Sequence, residues 1–199
     1  VAKGLLPLPL RRSAGRSLAP ATRREEDHLA PHRADLQRLL AQLAAALRKL
    51  AGALSDKALI AALAAEFGKA RKLGRKLDPE DDEELHELRK AVVAQRYQME
   101  LATPAWPTLG KAWVEELQRL RDKLGKHHDL SVLIARLQAR PPRSPAQLAW
   151  HGPLMQAARA RQHKLAHSAL RLHGRLFAEK PAVFRRRLAA YMTAMSHRE

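Results

Sequence analysis

The 199-residue sequence contains no cysteine. Disulfides, thiolate metal sites, iron–sulfur clusters and cysteine nucleophiles are therefore excluded. Aromatic residues make up only 4% of the chain, too few for a surface that stacks many bases of single-stranded nucleic acid. No apolar run approaches the roughly 20 residues that span a bilayer, and we expect a cytoplasmic location.

Sequence motifs of several enzyme classes are also missing. The chain has no P-loop, no GxGxxG, no H-E-x-x-H and no G-x-S-x-G motif. Its one dense group of carboxylates, at residues 80–84, fits the first turns of a helix, where free backbone amides stabilise negative charge. We therefore expect a protein that is not an enzyme and needs no cofactor.

Basic residues are what the chain has in excess. Lysine and arginine number 37 against 20 acidic residues, which gives a formal charge of +17. A field of this size favours a polyanionic partner that is recognised through its backbone charge. The charge alone does not distinguish one polyanion from another, nucleic acids included.

Apolar residues recur at helical spacing and no run alternates as a half-buried strand does, so the predicted fold class is all-α. A leucine stripe from Leu36 to Leu54 predicts a helix over residues 35–54 that buries one face. Residues 1–20 are expected to be irregular and residues 21–199 to form the helical domain. Further helices are predicted at 56–78, 79–101 and 109–125 with Gly125 as a cap, at 130–138 with Asp129 as N-cap, and at 154–178 and 181–196.

The most informative segment is residues 85–101. At about 100° per residue, His86, Lys90 and Tyr97 fall in one stripe with Arg89 beside it. Leucines, a valine and a methionine occupy the neighbouring face, so one side of the helix can pack on a core while the other presents cations to a chain of phosphates. The alternative reading of the charge is a solvated helix face.

Other residues allow two interpretations each. Lys69, Lys72 and Lys76 share a helix face, and so do Arg161, Lys164, Arg171 and Arg175. Each row either extends a phosphate track or is a solvent-facing flank. His163 and His167 have the i, i+4 spacing of metal ligands, but no cysteine or acidic residue lies nearby in the sequence, so we predict no metal site.

A family resemblance rests on two segments. His86, Arg89, Lys90, Arg96 and Tyr97 reproduce the pattern H-x-x-R-K-x-x-x-x-x-R-Y, and LQRLRDKLGKHHDLSVL follows at residues 117–133. Together they resemble the CHAD family, the conserved-histidine α-helical domain. The resemblance covers residues 69–199, including LFAEKPAVFRRRL, and is sharpest over 85–133. Val93 replaces a usual basic residue, and residues 1–78 contain no H-x-x-R sequence.

The resemblance implies long antiparallel helices in two related bundles around a basic central surface, here with a shortened first bundle, and binding of inorganic polyphosphate. The implied ligand contacts are His86, Arg89, Lys90, Arg96, Tyr97, Arg119, Lys123 and Lys126, and Lys69, Lys72 and Lys76 are added on physical grounds. We expect these cations to converge in one trough, and the protein to associate with polyphosphate or storage granules. The alternatives are a protein that binds an RNA or DNA backbone, and an accessory module or enzyme of polyphosphate metabolism.

Overall fold

A computed structural model describes residues 4–7, 10–15, 32–51 and 55–196. These residues include no strand, which confirms the all-α prediction. None of the described helices has the length and apolar composition needed to cross a membrane. The main helices are α1 (Arg33–Ala51), α2 (Asp56–Lys76), α3 (Asp82–Ala102), α4 (Pro107–Gln138), α5 (Pro145–Leu176) and α6 (Pro181–Ser196).

The chain divides into two compact units, and α5 contributes to both. Residues 1–55 and 140–157 form the first unit, and residues 56–139 and 158–199 form the second. Half of the predicted irregular segment at residues 1–20 lies outside the described residues, and within the described half residues 10–15 are helical.

Helix α1 forms where the leucine stripe predicts it, but the stripe is not buried. Leu36, Leu39, Leu40 and Leu43 are 50–64% exposed. The high helix propensity of alanine and leucine accounts for the helix, and no described part of the first unit covers its apolar face. The side chains of Leu47, Leu50 and Leu54 lie outside the described residues.

The second unit is built around a single core. Helix α3 packs against α2 and α4, and α6 packs against α2. Helix α5 meets α2 through His173, whose Nε2 lies 3.0 Å from the carbonyl oxygen of Ala70. The rings of three phenylalanines meet inside, with Phe67 stacked 4.1 Å from Phe184 and 5.0 Å from Phe177. Fully buried leucines at helical spacing complete the core, as the periodicity of this half of the sequence predicts.

The acidic run at residues 80–84 is the start of α3, as predicted. Asp81 caps the helix by accepting hydrogen bonds of 2.9 Å from the backbone amides of Glu83 and Glu84. Pro79, predicted at the first helical position, instead lies in the turn before α3, where the carboxylate of Asp78 accepts a hydrogen bond from the backbone amide of Glu80.

Helix α4 is longer than predicted. It runs without a break from Pro107 to Gln138, so Gly125 is not a cap and Asp129 is not an N-cap. A glycine inside a helix costs only about 1 kcal/mol relative to alanine, and buried leucines on both sides of Gly125 keep one continuous apolar face. Helix α5 likewise begins at Pro145 rather than at residue 154, whereas α6 occupies the predicted residues 181–196.

Candidate anion-binding surfaces

A groove between α4 and residues 158–176 of α5 is one of two cationic surfaces in the second unit. Its volume is about 520 Å³ and its floor includes Leu165 and Leu172. Here we call it the α4–α5 groove. Its charged lining residues are Arg119, Lys123, Lys126, Arg161, Arg171 and Arg175, with Glu116 and Asp122.

The sequence builds this groove from two helical rows. Arg119, Lys123 and Lys126 are spaced by four and three residues, so they follow one side of α4. Arg161, Arg171 and Arg175 of α5 face them, and all three belong to the α5 row that the sequence analysis interpreted either as a phosphate track or as a solvent-facing flank. The Nζ atom of Lys123 donates a 2.8 Å hydrogen bond to Oγ of Ser168 and thereby links the two helices.

Few of these cations are neutralised. Glu116 pairs with Arg119, and Asp122 lies 3.0 Å from Arg121. Lys126, Arg161, Arg171 and Arg175 form no ion pair within the described part of the chain. The α4–α5 groove therefore keeps a positive potential that an anion can neutralise.

The second surface is the side of α3 formed by His86, Arg89, Lys90, Arg96 and Tyr97, which we call the α3 face. It lies against α4, where the rings of His86 and His128 have centroids 4.6 Å apart. The Nε atom of Arg89 is 3.7 Å from the position that a Cβ atom on Gly125 would occupy. The side chain of Arg89 therefore lies over the middle of α4, at the distance of an ordinary van der Waals contact from this position.

Local partners hold several side chains of the α3 face. Lys90 pairs with Glu87, and Arg96 pairs with Glu100 while its guanidinium lies 4.1 Å from the centre of the Tyr97 ring. Hydrogen bonding and the positive charge of Lys90, together with the charges of His86 and Lys69, lower the pKa of Glu87. Lys69 itself forms an ion pair with Glu66 on α2, with Nζ 3.7 Å from Oε1.

Three polar atoms of the α3 face are buried and have no hydrogen-bond partner among the described residues. They are Nδ1 of His86, Nε of Arg89 and Nε of Arg96. A buried donor without an acceptor costs about 1–3 kcal/mol. Such donors, next to guanidinium and ammonium groups that reach solvent, favour an arriving anion that supplies the missing acceptors.

The two surfaces meet different sides of α4. Gly125, which Arg89 approaches, and Lys123 are two residues apart, or about 200° around α4. None of the α3 residues lines the α4–α5 groove. The expectation that His86, Arg89, Lys90 and Lys123 converge in one trough stays a prediction, which a double-mutant cycle tests.

Arg121 is a residue that the sequence analysis did not select. It lies four residues before Gly125 and therefore on the same side of α4 as the α3 face. A helical projection centred on Gly125 would have found it.

The remaining predicted cations of α2, Lys72 and Lys76, are exposed, and neither forms an ion pair within the described residues.

The described helices form an all-α bundle with two cationic surfaces. The family model of the CHAD domain matches residues 5–138, and the chain belongs to this family. The match includes α1 to α4 and hence the whole α3 face. It begins earlier than the predicted residue 69, and α5 and α6 lie beyond it. Comparison with curated proteins finds no match, and comparison with solved structures finds none.

Proposed function

We propose that the protein binds inorganic polyphosphate on the α3 face and that the α4–α5 groove takes a second stretch of phosphates. The observation that carries this proposal is the set of three buried nitrogen atoms without a hydrogen-bond partner among the described residues, one on each of the partly buried side chains of His86, Arg89 and Arg96, on one side of α3. Polyphosphate offers acceptor oxygens along its whole length, and membership of the CHAD family supports this ligand.

The dimensions of the α3 face suit a linear anion. From His86 to Tyr97 the helix rises about 16 Å at about 1.5 Å per residue, which is enough to follow several phosphates. Arginine supplies a planar fork of donors and lysine a mobile point charge, so the row combines geometric fit with charge. The ion pairs of Lys90 and Arg96 are on or near the surface and are weak enough for phosphate to replace them.

The proposal includes no catalytic step. A phosphohydrolase uses carboxylates to hold metal ions opposite the phosphate. On the two surfaces the acids Glu87, Glu100 and Glu116 are instead each paired with a single cation. Incubation with polyphosphate and Mg²⁺ or Mn²⁺ should release no phosphate and shorten no chains, and turnover lost with His86→Ala would identify an enzyme.

The binding experiment separates the two surfaces by calorimetric titration with polyphosphate of defined length. One variant removes Arg89, Lys90 and Arg96 of the α3 face, and another removes Lys123, Arg171 and Arg175 of the groove. The control replaces the exposed Arg143, Arg185 and Arg186 by alanine and so changes the net charge by the same amount.

The α3 variant should bind at least about tenfold more weakly than the control, since three charge-assisted hydrogen bonds contribute well over 1.4 kcal/mol together. The groove variant should bind fewer phosphates per protein at saturation. If the α3 variant and the control have equal affinities, the α3 face is not the site.

RNA is the competing ligand, because any phosphate backbone is attracted to the same charge. The low aromatic content and the single exposed tyrosine of the α3 face favour a ligand without bases. Polyphosphate should displace RNA at a lower phosphate concentration than the reverse, and the opposite order would favour a nucleic-acid-binding protein. Association with polyphosphate granules in the cytoplasm is part of the proposal.

A further inference from the structure

Two histidines and a glutamate from distant parts of the sequence meet at one end of the second unit. His163 and His167 lie one turn apart on α5, and Glu80 lies in the turn before α3. The Nε2 atoms of the two histidines are 3.0 Å apart, and Nε2 of His163 is 3.6 Å from Oε1 of Glu80. One ligand atom from each of the three residues lies within 4.8 Å of the others.

These distances suit a tetrahedral metal ion. Zinc binds histidine nitrogen and carboxylate oxygen at about 2.0–2.2 Å, so neighbouring ligand atoms in a tetrahedral site are about 3.3–3.6 Å apart. The two measured separations lie close to this range. Glu80 and His163 are exposed, so the third separation can close by side-chain rotation. The fold supplies the acidic ligand that is missing from the sequence around His163.

The surroundings of the cluster are ordered by hydrogen bonds. The side-chain Nε2 of Gln162 on α5 donates hydrogen bonds to Oδ1 of Asp82 and to Oγ of Ser131, both at 2.8 Å. It thereby connects the start of α3 with α4 and α5. A cavity of about 270 Å³ opens beside Glu80 and His163, with Asp82 and His127 also in its lining. Water therefore has access to Glu80 and His163 from this cavity.

We propose that Glu80, His163 and His167 bind a divalent transition-metal ion of the zinc type, with water in the fourth position. Two neutral imidazoles and one carboxylate are ligands that such ions prefer over Mg²⁺ or Ca²⁺, which take oxygen ligands. None of the three residues belongs to the α3 face or lines the α4–α5 groove. The site is thus independent of the proposed polyphosphate surfaces.

The test is calorimetric titration of the full chain with zinc chloride in a phosphate-free buffer that contains a weak competing chelator. We expect one high-affinity site per chain. The variants Glu80→Gln, His163→Gln and His167→Gln should each weaken zinc binding at least about tenfold. Losing a residue that only orients a metal ligand already costs about that much, and these three residues are the ligands themselves. Glu83→Gln in the first turn of α3 and His151→Gln on α5 are the matched controls and should bind as the parent protein does.

Two results would overturn the proposal. One is zinc binding that the control variants weaken as much as the ligand variants do, which would indicate scattered surface histidines. The other is unchanged binding in Glu80→Gln, which would reduce the site to a histidine pair. Substitution by Co²⁺ gives a second readout, since a tetrahedral site produces a visible absorption band that an octahedral aquo ion lacks, and circular dichroism checks that each variant is folded. Loss of polyphosphate binding in the α3 variant leaves all of these outcomes unaffected.

Discussion

The ring of His173 occupies the space that a side chain on Gly74 would need. A Cβ atom built on Gly74 would lie 2.5 Å from Nε2 and 2.7 Å from Cδ2 of the histidine. The ring is stacked on Phe177, with centroids 4.7 Å apart, and its Nε2 is within hydrogen-bond distance of the Ala70 carbonyl oxygen. His173 is only 2% exposed, so it has no room to move away.

Substitution of Gly74 by alanine should therefore destabilise the protein, although alanine is the better helix former. We expect a loss of about 1–3 kcal/mol in the free energy of unfolding, the usual cost of overpacking a core. Urea unfolding followed by circular dichroism measures it. Equal stability of Gly74→Ala and the parent protein would mean that the His173 ring can leave this position.

Alanine at Gly125 should have the opposite effect. Its Cβ atom would be 3.7 Å from Nε of Arg89, an ordinary van der Waals contact, and alanine gains about 1 kcal/mol of helix propensity over glycine. The same urea experiment should show Gly125→Ala to be more stable than the parent protein. A lower stability would place Arg89 closer to α4 than the structure has it.

Stability should fall when the pH is lowered from 7.5 to 5.5. Burial lowers the pKa of His173 below its ordinary value of 6.5, and the nearby positive charges of Arg75 and Arg71 act in the same direction. Below pH 6.5 the unfolded chain binds a proton at this residue that the folded protein resists, so unfolding becomes more favourable until the folded pKa is reached. The pH-dependent loss should be smaller in His173→Gln, even if that variant is less stable at every pH.

The helix cap at Asp81 gives a prediction about local stability. Asp81→Ala removes two hydrogen bonds to backbone amides at the start of α3 and should cost about 0.5–2 kcal/mol. Asp81→Asn retains an acceptor oxygen and should recover most of the loss. Thermal unfolding of the two variants distinguishes the cap from a general effect of removing one negative charge, which both variants share.

The sequence predicts single helices of this fold better than it predicts their neighbours. Helix α6 has the predicted residues because Pro181 defines its start, and the start of α3 follows from its carboxylates. The glycine at 125 is misleading, because the buried leucines on both sides of it keep α4 continuous through this position. The exposed leucines of α1 show the same limitation, since periodicity specifies a face but not its partner.

The candidate sites differ in how far the sequence predicts them. The residues of the α3 face share one helix, so their spacing alone brings them together. The division of Arg89 and Lys123 between two surfaces depends on which side of α4 meets α3, and the link from Glu80 to His163 spans 83 positions in the chain. Only tertiary packing determines these two relationships.

A double-mutant cycle tests the separation of the two surfaces. The effects of Arg89→Ala and Lys123→Ala on polyphosphate affinity should add within about 0.5 kcal/mol, because the residues share no partner and lie on different sides of α4. Arg89→Ala and Arg121→Ala should couple more strongly, since both residues lie on the Gly125 side. Strong coupling between Arg89 and Lys123 would instead indicate a single trough. Calorimetry with short polyphosphate, which cannot occupy both surfaces at once, measures both cycles.

Removing the acids that pair with cations of the α3 face should strengthen binding. Glu87 pairs with Lys90 and Glu100 with Arg96, so phosphate must displace both carboxylates before it can contact these cations. Surface ion pairs of this kind contribute about 0.2–1 kcal/mol each. The double variant Glu87→Gln/Glu100→Gln should therefore bind polyphosphate about two- to thirtyfold more tightly.

The matched control for this gain is Glu83→Gln/Glu115→Gln, which removes the same charge at exposed positions outside the α3 face. A gain of equal size in the control would show that net charge alone determines affinity. A gain confined to the first variant, measured at two salt concentrations, would show that phosphate contacts Lys90 and Arg96 directly, because the effect of net charge is screened by salt more strongly than the effect of a contact.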